Sequence, residues 1–313
     1  MPVWKILITD GLDETGKAIL RASAEVEDFS GISIEHLLQV IGNFDALIVR
    51  GRTRVNSNVF EAAKRLKVVG RAGVGIDNID IAAANRHNVT VVNAPLATTR
   101  AVAEYTLALM LALARTIPKA DTAMKSGQWL KKDLKGVELN GKVMGVIGMG
   151  NIGAAVAGLA SALGMTPIGN DPWLPAGEII KRGAEPVSIN ELFSRSDFIS
   201  LHVPLSPETK MMIDGQAFGM MKRGVRLICD ARGGVVDETA LLGALESGQV
   251  AGAALDVFSN EPPGMTALVT HPNVIATPHI AAQTIESQTR AAKDIASEVL
   301  AALRGEPLRW KIV

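Results

Sequence analysis

The sequence has one cysteine, Cys229, one tyrosine, and no net charge, because 32 basic residues balance 32 acidic ones. A single thiol excludes an internal disulfide framework and suits a reducing compartment. The even charge balance shows no basic stripe and no acidic tail, so neither nucleic acid nor an anionic membrane is an expected partner. Long hydrophobic runs are also missing. The longest, YTLALMLALA at Tyr105–Ala114, is about half the length a bilayer span needs. The opening MPVWKILITD lacks the layout of a signal peptide. No spacing of His, Cys, Asp and Glu marks a metal site, and no fixed-period repeat or low-complexity tract is present. A cytoplasmic globular protein is the expectation.

Apolar residues make up 48% of the 313 positions, enough for two cores, since one core rarely serves more than about 250–300 residues. Short apolar runs alternate with helix-period segments. KILIT, ALIVR, KVVGRAG and VTVVNAP form a first series, with helices expected over 13–22 and 57–66. Residues 98–126 read as helix with a break at Pro118, and a turn-rich stretch, SGQWLKKDLKGVELNGK, follows. A second series comprises VMGVIG, TPIGN, DFISLHV, VRLICDA, AGAALDV and NVIATP. The tail, 281–304, reads as one helix stopped by Gly305 and Pro307. Strand alternating with helix predicts an α/β fold with two doubly wound parallel-sheet domains. One is discontinuous, 1–97 plus 281–313; the other is 98–280, with hinges at the two crossings.

Within GKVMGVIGMGNIGAAVAG, Gly148, Gly150 and Gly153 fall in the order G-x-G-x-x-G, after a strand and before an Ala-rich helix. The first glycine permits a tight turn, the second a close approach to pyrophosphate, and the third the packing of helix on strand. The helix start offers free N–H groups to phosphate. The next strand, TPIGN, ends at Asp171, where a carboxylate accepts from ribose hydroxyls and repels a 2′-phosphate. The expected cofactor is NAD.

RLICDARGGVVDE then places Arg232 at the end of an apolar run with little side-chain cover around it. Glu261 lies in LDVFSNEPP and His279 in NVIATPHIAAQT, each after a strand. In open parallel sheets, ligands sit at the carboxyl ends of strands. Hydride chemistry on a 2-hydroxy or 2-keto acid needs a cation for the carboxylate, an acid/base for the carbonyl oxygen, and a group that keeps that acid charged. Arg232, His279 and Glu261 match these needs in turn. His36, His87 and His271 have no chemical neighbours in sequence, while His202 follows a strand.

VVGRAGVGIDNID, NAP, AVAEYTLALMLALAR, GKVMGVIGMGNIG, HVPLSPET, ARGGVVDETALL, GAALDVFSNEPP and TPHIAAQT occur here in one order across nearly the whole chain. In these motifs the sequence resembles the D-isomer-specific 2-hydroxyacid dehydrogenases, and among them the phosphoglycerate branch. The resemblance implies a flavodoxin-like substrate domain and a Rossmann NAD domain, hinged about an active site, in a homodimer. It implies catalytic roles for Arg232, Glu261 and His279. It implies an NAD site of Gly148, Gly150, Asn151, Ile152, Gly153, Asp171, His202, Pro204 and Thr209, with Asp256 meeting the nicotinamide carboxamide. Substrate contacts fall to Arg50, Arg71, Val74 and Gly75, besides Arg232 and His279. The two arginines point to a second anionic group on the substrate, a phosphate, sulfonate or carboxylate.

The sequence departs from the family where Ala97 and Thr98 replace a Gly-Asn pair of the substrate pocket, where Cys229 replaces Asn, and where Ala281 replaces Gly. Because the sequence stops at Val313, regulatory C-terminal domains are expected to be absent. Alternatives are a hydroxypyruvate or glyoxylate reductase and an NAD(H)-sensing interaction protein on the same fold, like the C-terminal-binding corepressors. A formate dehydrogenase is disfavoured by Glu261, where those enzymes carry glutamine.

Overall fold

The computed structural model describes residues 4–313. They divide into two compact units, one of residues up to Thr98 together with Gln283–Val313, the other Thr99–Ala282.

The first unit holds five strands, β1 (Trp4–Ile8), β2 (Ala24–Asp28), β3 (Ala46–Val49), β4 (Val68–Arg71) and β5 (Thr90–Asn93), in the order β2-β1-β3-β4-β5. All pair in parallel. Every residue of β3 is buried, as expected of a strand covered on both faces. β2 (AEVED) is an edge strand, and its acids face solvent. That composition hid it from the sequence reading. Helix Ile285–Arg304 returns the chain's end to this unit and seats Ile295, Val299 and Leu303 in its core. It begins four residues later than expected. Thr284 caps it by accepting from Ser287 N, and 281–284 belong to the preceding turn.

The second unit holds β6 (Val143–Ile147), β7 (Thr166–Asn170), β8 (Glu185–Pro186), β9 (Phe198–Leu201), β10 (Val225–Cys229), β11 (Val250–Leu255) and β12 (Val274–Ala276). Their order is β12-β11-β10-β9-β6-β7-β8, again parallel throughout. The two orders are those of the flavodoxin-like and Rossmann doubly wound sheets, so the α/β class read from the sequence is the one observed. The run Tyr105–Ala114 lies in helix Thr99–Ala114, most of which is buried in the core. No single helix is long and apolar enough to cross a membrane among the described residues. The break expected at Pro118 falls instead at Thr116, which adopts φ 51°. Pro118 sits in the first turn of helix Ile117–Lys125, where its missing N–H costs nothing.

Gly16 shows how tightly the chain's two ends pack. A Cβ there would lie 2.6 Å from the Ala292 carbonyl oxygen and 2.7 Å from the Ala292 Cβ. Gly16→Ala is expected to cost roughly 1–3 kcal/mol, seen as a lower urea midpoint with an unchanged slope.

Candidate active site

The register of the second sheet places the residues that matter. Ile147 pairs with Asn170 and with Leu201, Leu201 with Cys229, Cys229 with Leu255, and Leu255 with Ala276. Six strands are therefore level at one row. The next residue on each is Asp171, Gly148, His202, Asp230, Asp256 and Thr277, so one edge of this sheet gathers the polar groups of the second unit.

At the centre of that edge is the glycine turn. Gly148 has φ +87°, and a Cβ on it would lie 2.7 Å from the His202 carbonyl oxygen. Only glycine fits the conformation and the close approach of the β9 end. A Cβ on Gly153 would fall 2.0 Å from the Gly148 carbonyl oxygen, so helix and turn are in contact there. Gly150 differs, because nothing lies within 4 Å of its missing Cβ. It caps helix Asn151–Ala162 without any side-chain bond. The first-turn N–H groups of Asn151, Ile152 and Gly153 follow it, at the positive end of a twelve-residue helix. Asp171 stands beside the turn, accepting from Met149 N at 2.9 Å and Trp173 N at 3.0 Å. Each of its oxygens keeps a lone pair for a further donor. This cradle fits a dinucleotide.

Past β9, His202 is turned inward. Its side chain is 2% exposed, its Nε2 lies 3.0 Å from Ser200 Oγ, and burial drives its pKa down to about 3. The ring is neutral at ordinary pH and carries no proton to a ligand. Thr209 braces the loop beyond, donating to the Pro204 carbonyl at 2.6 Å and accepting from Ser206 N at 2.8 Å.

The other end of the edge holds Arg232, Glu261 and His279. A Cβ on Gly233 would lie 1.8 Å from the Phe258 carbonyl oxygen. The turn after β10, which carries Arg232, thus runs against the loop after β11, which carries Glu261. Arg232 donates from its guanidinium to the Ala231 carbonyl at 2.6 Å. Glu261 spans its own loop, with Oε1 accepting from Phe258 N at 3.1 Å and Oε2 lying 2.8 Å from His279 Nδ1. His279 has φ 55°, uncommon for a residue other than glycine. Asp256 holds it there. Its fully buried carboxylate accepts from Thr277 Oγ1 at 2.6 Å, Ile280 N at 2.9 Å and Ala281 N at 2.8 Å, and its carbonyl accepts from His279 N at 2.9 Å. The imidazole stays half exposed. Asp256, expected to meet the cofactor, is in this geometry the anchor of the histidine turn.

Arg50, Arg71, Val74 and Gly75 lie in the first unit, after β3 and at the end of β4. Asp10, following β1, organises that edge by accepting from Arg50 N at 2.8 Å, Arg52 N at 3.2 Å and Thr53 N at 3.0 Å. The Arg50 guanidinium reaches Gln283 Oε1 at 3.5 Å. That of Arg71 folds over Gly73 and donates to the Ala72 carbonyl at 3.5 Å. Asn93 donates to the Val74 carbonyl at 2.7 Å, fixing the loop whose N–H groups were singled out. Asp10 and Asp230 escaped the sequence reading, although Asp230 directly follows a buried strand, as Asp171 and Asp256 do, and Asp10 comes two residues after one.

Residues 107–281 match the model of the D-isomer-specific 2-hydroxyacid dehydrogenase NAD-binding domain. The chain is 48% identical over 308 residues to D-3-phosphoglycerate dehydrogenase 2 (chloroplastic) of Arabidopsis thaliana, covering 98% of this chain and 49% of that one. It is 48% identical over 303 residues to D-3-phosphoglycerate dehydrogenase of Methanocaldococcus jannaschii, covering 96% and 58%. The chain thus spans about half the length of these relatives. A crystal structure of a Thermus thermophilus protein superposes with a TM-score of 0.89 at 34% identity, covering 99% of this chain and all of that one.

Two outcomes follow from the cradle and the buried thiol. Gly150→Ala should weaken NADH binding roughly tenfold or more in a fluorescence titration, with little loss of thermal stability because the new methyl meets nothing. Cys229 is buried, and burial pushes its pKa up to about 12. It should resist iodoacetamide at about pH 8 in the native protein and react once urea unfolds the chain.

Proposed function

The chain belongs to the D-isomer-specific 2-hydroxyacid dehydrogenases, and on that premise we propose that it interconverts a small 2-hydroxy acid and its 2-keto acid, the substrate carrying a second anionic group. 3-Phosphoglycerate is the first candidate, from the activity named for its relatives, and a sulfolactate-like acid the second. The observation that carries this reading is the His279–Glu261 pair, 2.8 Å apart, on the same strand edge as the dinucleotide cradle and Arg232.

NAD, when bound, accepts or supplies the hydride at the substrate's C2. The protein's own groups do the rest. The Arg232 guanidinium offers a planar fork of donors to the carboxylate, a geometry lysine lacks. His279 takes the hydroxyl proton in oxidation and returns it to the carbonyl oxygen in reduction. Glu261 accepts from Nδ1, which orients the ring and leaves Nε2 for the substrate oxygen. In the first unit, the N–H groups of Val74 and Gly75 are candidates for the substrate carboxylate, and Arg50 and Arg71 for the second anion. A cytosolic setting suits the lone buried thiol. The exposed apolar side chains Leu111, Ile117, Met124 and Trp129, on helices Thr99–Ala114 and Ile117–Lys125 and the stretch that follows them, support a homodimer. Light scattering that returns a monomer mass would refute the dimer.

The decisive assay is NADH oxidation over hydroxypyruvate, glyoxylate, 3-phosphohydroxypyruvate and 3-sulfopyruvate. Preference for the last two supports a required second anion, and preference for glyoxylate overturns it. His279→Ala should lower turnover by roughly 10²–10⁴-fold, and Arg232→Lys should lose most activity despite keeping its charge. Tight NADH binding without turnover on any keto acid would favour a sensing protein.

A further inference from the structure

We propose that Asp230 is a selectivity residue for the oxidised dinucleotide, giving up a proton to solvent when NAD+ binds and taking it back when NADH replaces it. The inference rests on the dinucleotide reading above.

Placement comes first. In a doubly wound sheet each half takes one mononucleotide. Asp171 and the glycine turn occupy the β6–β7 half, the adenylate side. The ends of β9, β10 and β11 remain for the nicotinamide, and they present His202, Asp230 and Asp256 side by side. Asp256 is committed to the histidine turn. Asp230 is not. Its side chain is fully buried, its Oδ2 lies 2.6 Å from Thr106 Oγ1, and its Oδ1 has no hydrogen-bond partner. A buried carboxylate left with an unmatched oxygen is costly, so this group resists ionisation unless a positive charge arrives.

The hydroxyl of Thr106 gives the ionised acid little support. It lies 2.9 Å from the Val102 carbonyl as well as 2.6 Å from Asp230. One hydroxyl proton cannot serve two acceptors. Thr106 donates to one at the expense of the other, so an ionised Asp230 has only a contested donor. The surrounding groups agree. Thr106 meets it from helix Thr99–Ala114 and His202 from the β9 edge, while Tyr105, Asp256 and Cys229 lie near enough to feel its charge. His202 Nδ1 is 3.6 Å away on a ring kept neutral by burial. Cys229 stays a thiol. The Arg232 guanidinium donates to the Ala231 carbonyl. Burial first, then the Asp256 charge, raises the pKa of Asp230 to about 7, against the Thr106 hydrogen bond, which lowers it.

The sign follows. Below about pH 7 Asp230 is neutral; above it a second buried negative charge joins that of Asp256 at this edge. The oxidised ring is cationic and favours the carboxylate, whereas the reduced ring is neutral. Binding of NAD+ should therefore tighten as pH rises through the neutral range, and by reciprocity NAD+ should release a proton on binding.

The test is calorimetric titration of the whole protein with NAD+ and with NADH, near neutral pH, in two buffers of different ionisation enthalpy. Wild type is expected to release a fraction of a proton with NAD+ and not with NADH. The NADH/NAD+ ratio of dissociation constants should rise on the order of tenfold from about pH 6 to about pH 8. In Asp230→Asn the release disappears and the ratio becomes flat. His279→Gln should keep the release, which separates Asp230 from the exposed imidazole. Should Asp230→Asn fail to fold, Thr106→Val serves instead. It removes the hydrogen bond that lowers the acid's pKa, so the pH midpoint should move upward. Proton release unchanged in Asp230→Asn, or an unmoved midpoint in Thr106→Val, overturns the assignment while the enzyme reading stands. Failure of wild type to bind either dinucleotide overturns both.

Discussion

Parallel pairing in a single register is the constraint on which the candidate site depends. Hydrogen bonds along the ladders fix six strand ends at one level, and the residue after each end has no further strand to join. Side chains there are held by a rigid sheet yet lie beyond it. A glycine at one such position opens a cradle, and an aspartate at another pins a turn. A slip of one residue in any strand would turn its buried face outward and carry its terminal group out of line. Core packing and site geometry are thus enforced by the same bonds.

The electrostatics of that edge sort its ionisable groups into two kinds. Glu261 and His279 are partly exposed and paired, so they can exchange protons with a ligand. His202, Asp230 and Asp256 are buried, and what each does is set by its hydrogen bonds. Asp256, with donors on both oxygens, is a fixed anchor. His202 is a neutral spacer. The contrast arises within a row of adjacent residues, which shows how sharply a few ångströms of depth alter the chemistry available to a side chain.

Much of the architecture was legible in the sequence because central parallel strands are covered on both faces and must be apolar. KILIT, ALIVR and VRLIC declare themselves in this way. AEVED could not, since an edge strand beside solvent carries acids without cost. The start of the last helix was misplaced because Ile280 and Ala281 extend its apolar pattern, and only the bonds from Asp256 show that they belong to a turn. The glycine turn was readable because its spacing answers to backbone sterics. Asp230 was not, since its meaning depends on neighbours far apart in the chain: Thr106, His202 and Asp256. The roles of individual acids are tertiary facts, whereas strand and turn are mostly local ones.

The packing of Gly16 and Gly70 against the final long helix has a bearing on biosynthesis. A Cβ on Gly70 would lie 2.5 Å from Val299 Cγ2, and Gly16 abuts Ala292, so the first unit's core stays open until that helix has left the ribosome. The intervening unit is one continuous segment, Thr99–Ala282, and has all its strands beforehand. On a nascent chain, residues 99–282 are therefore able to mature before the first unit, whose strands β1 to β5 stay unsealed until that helix emerges.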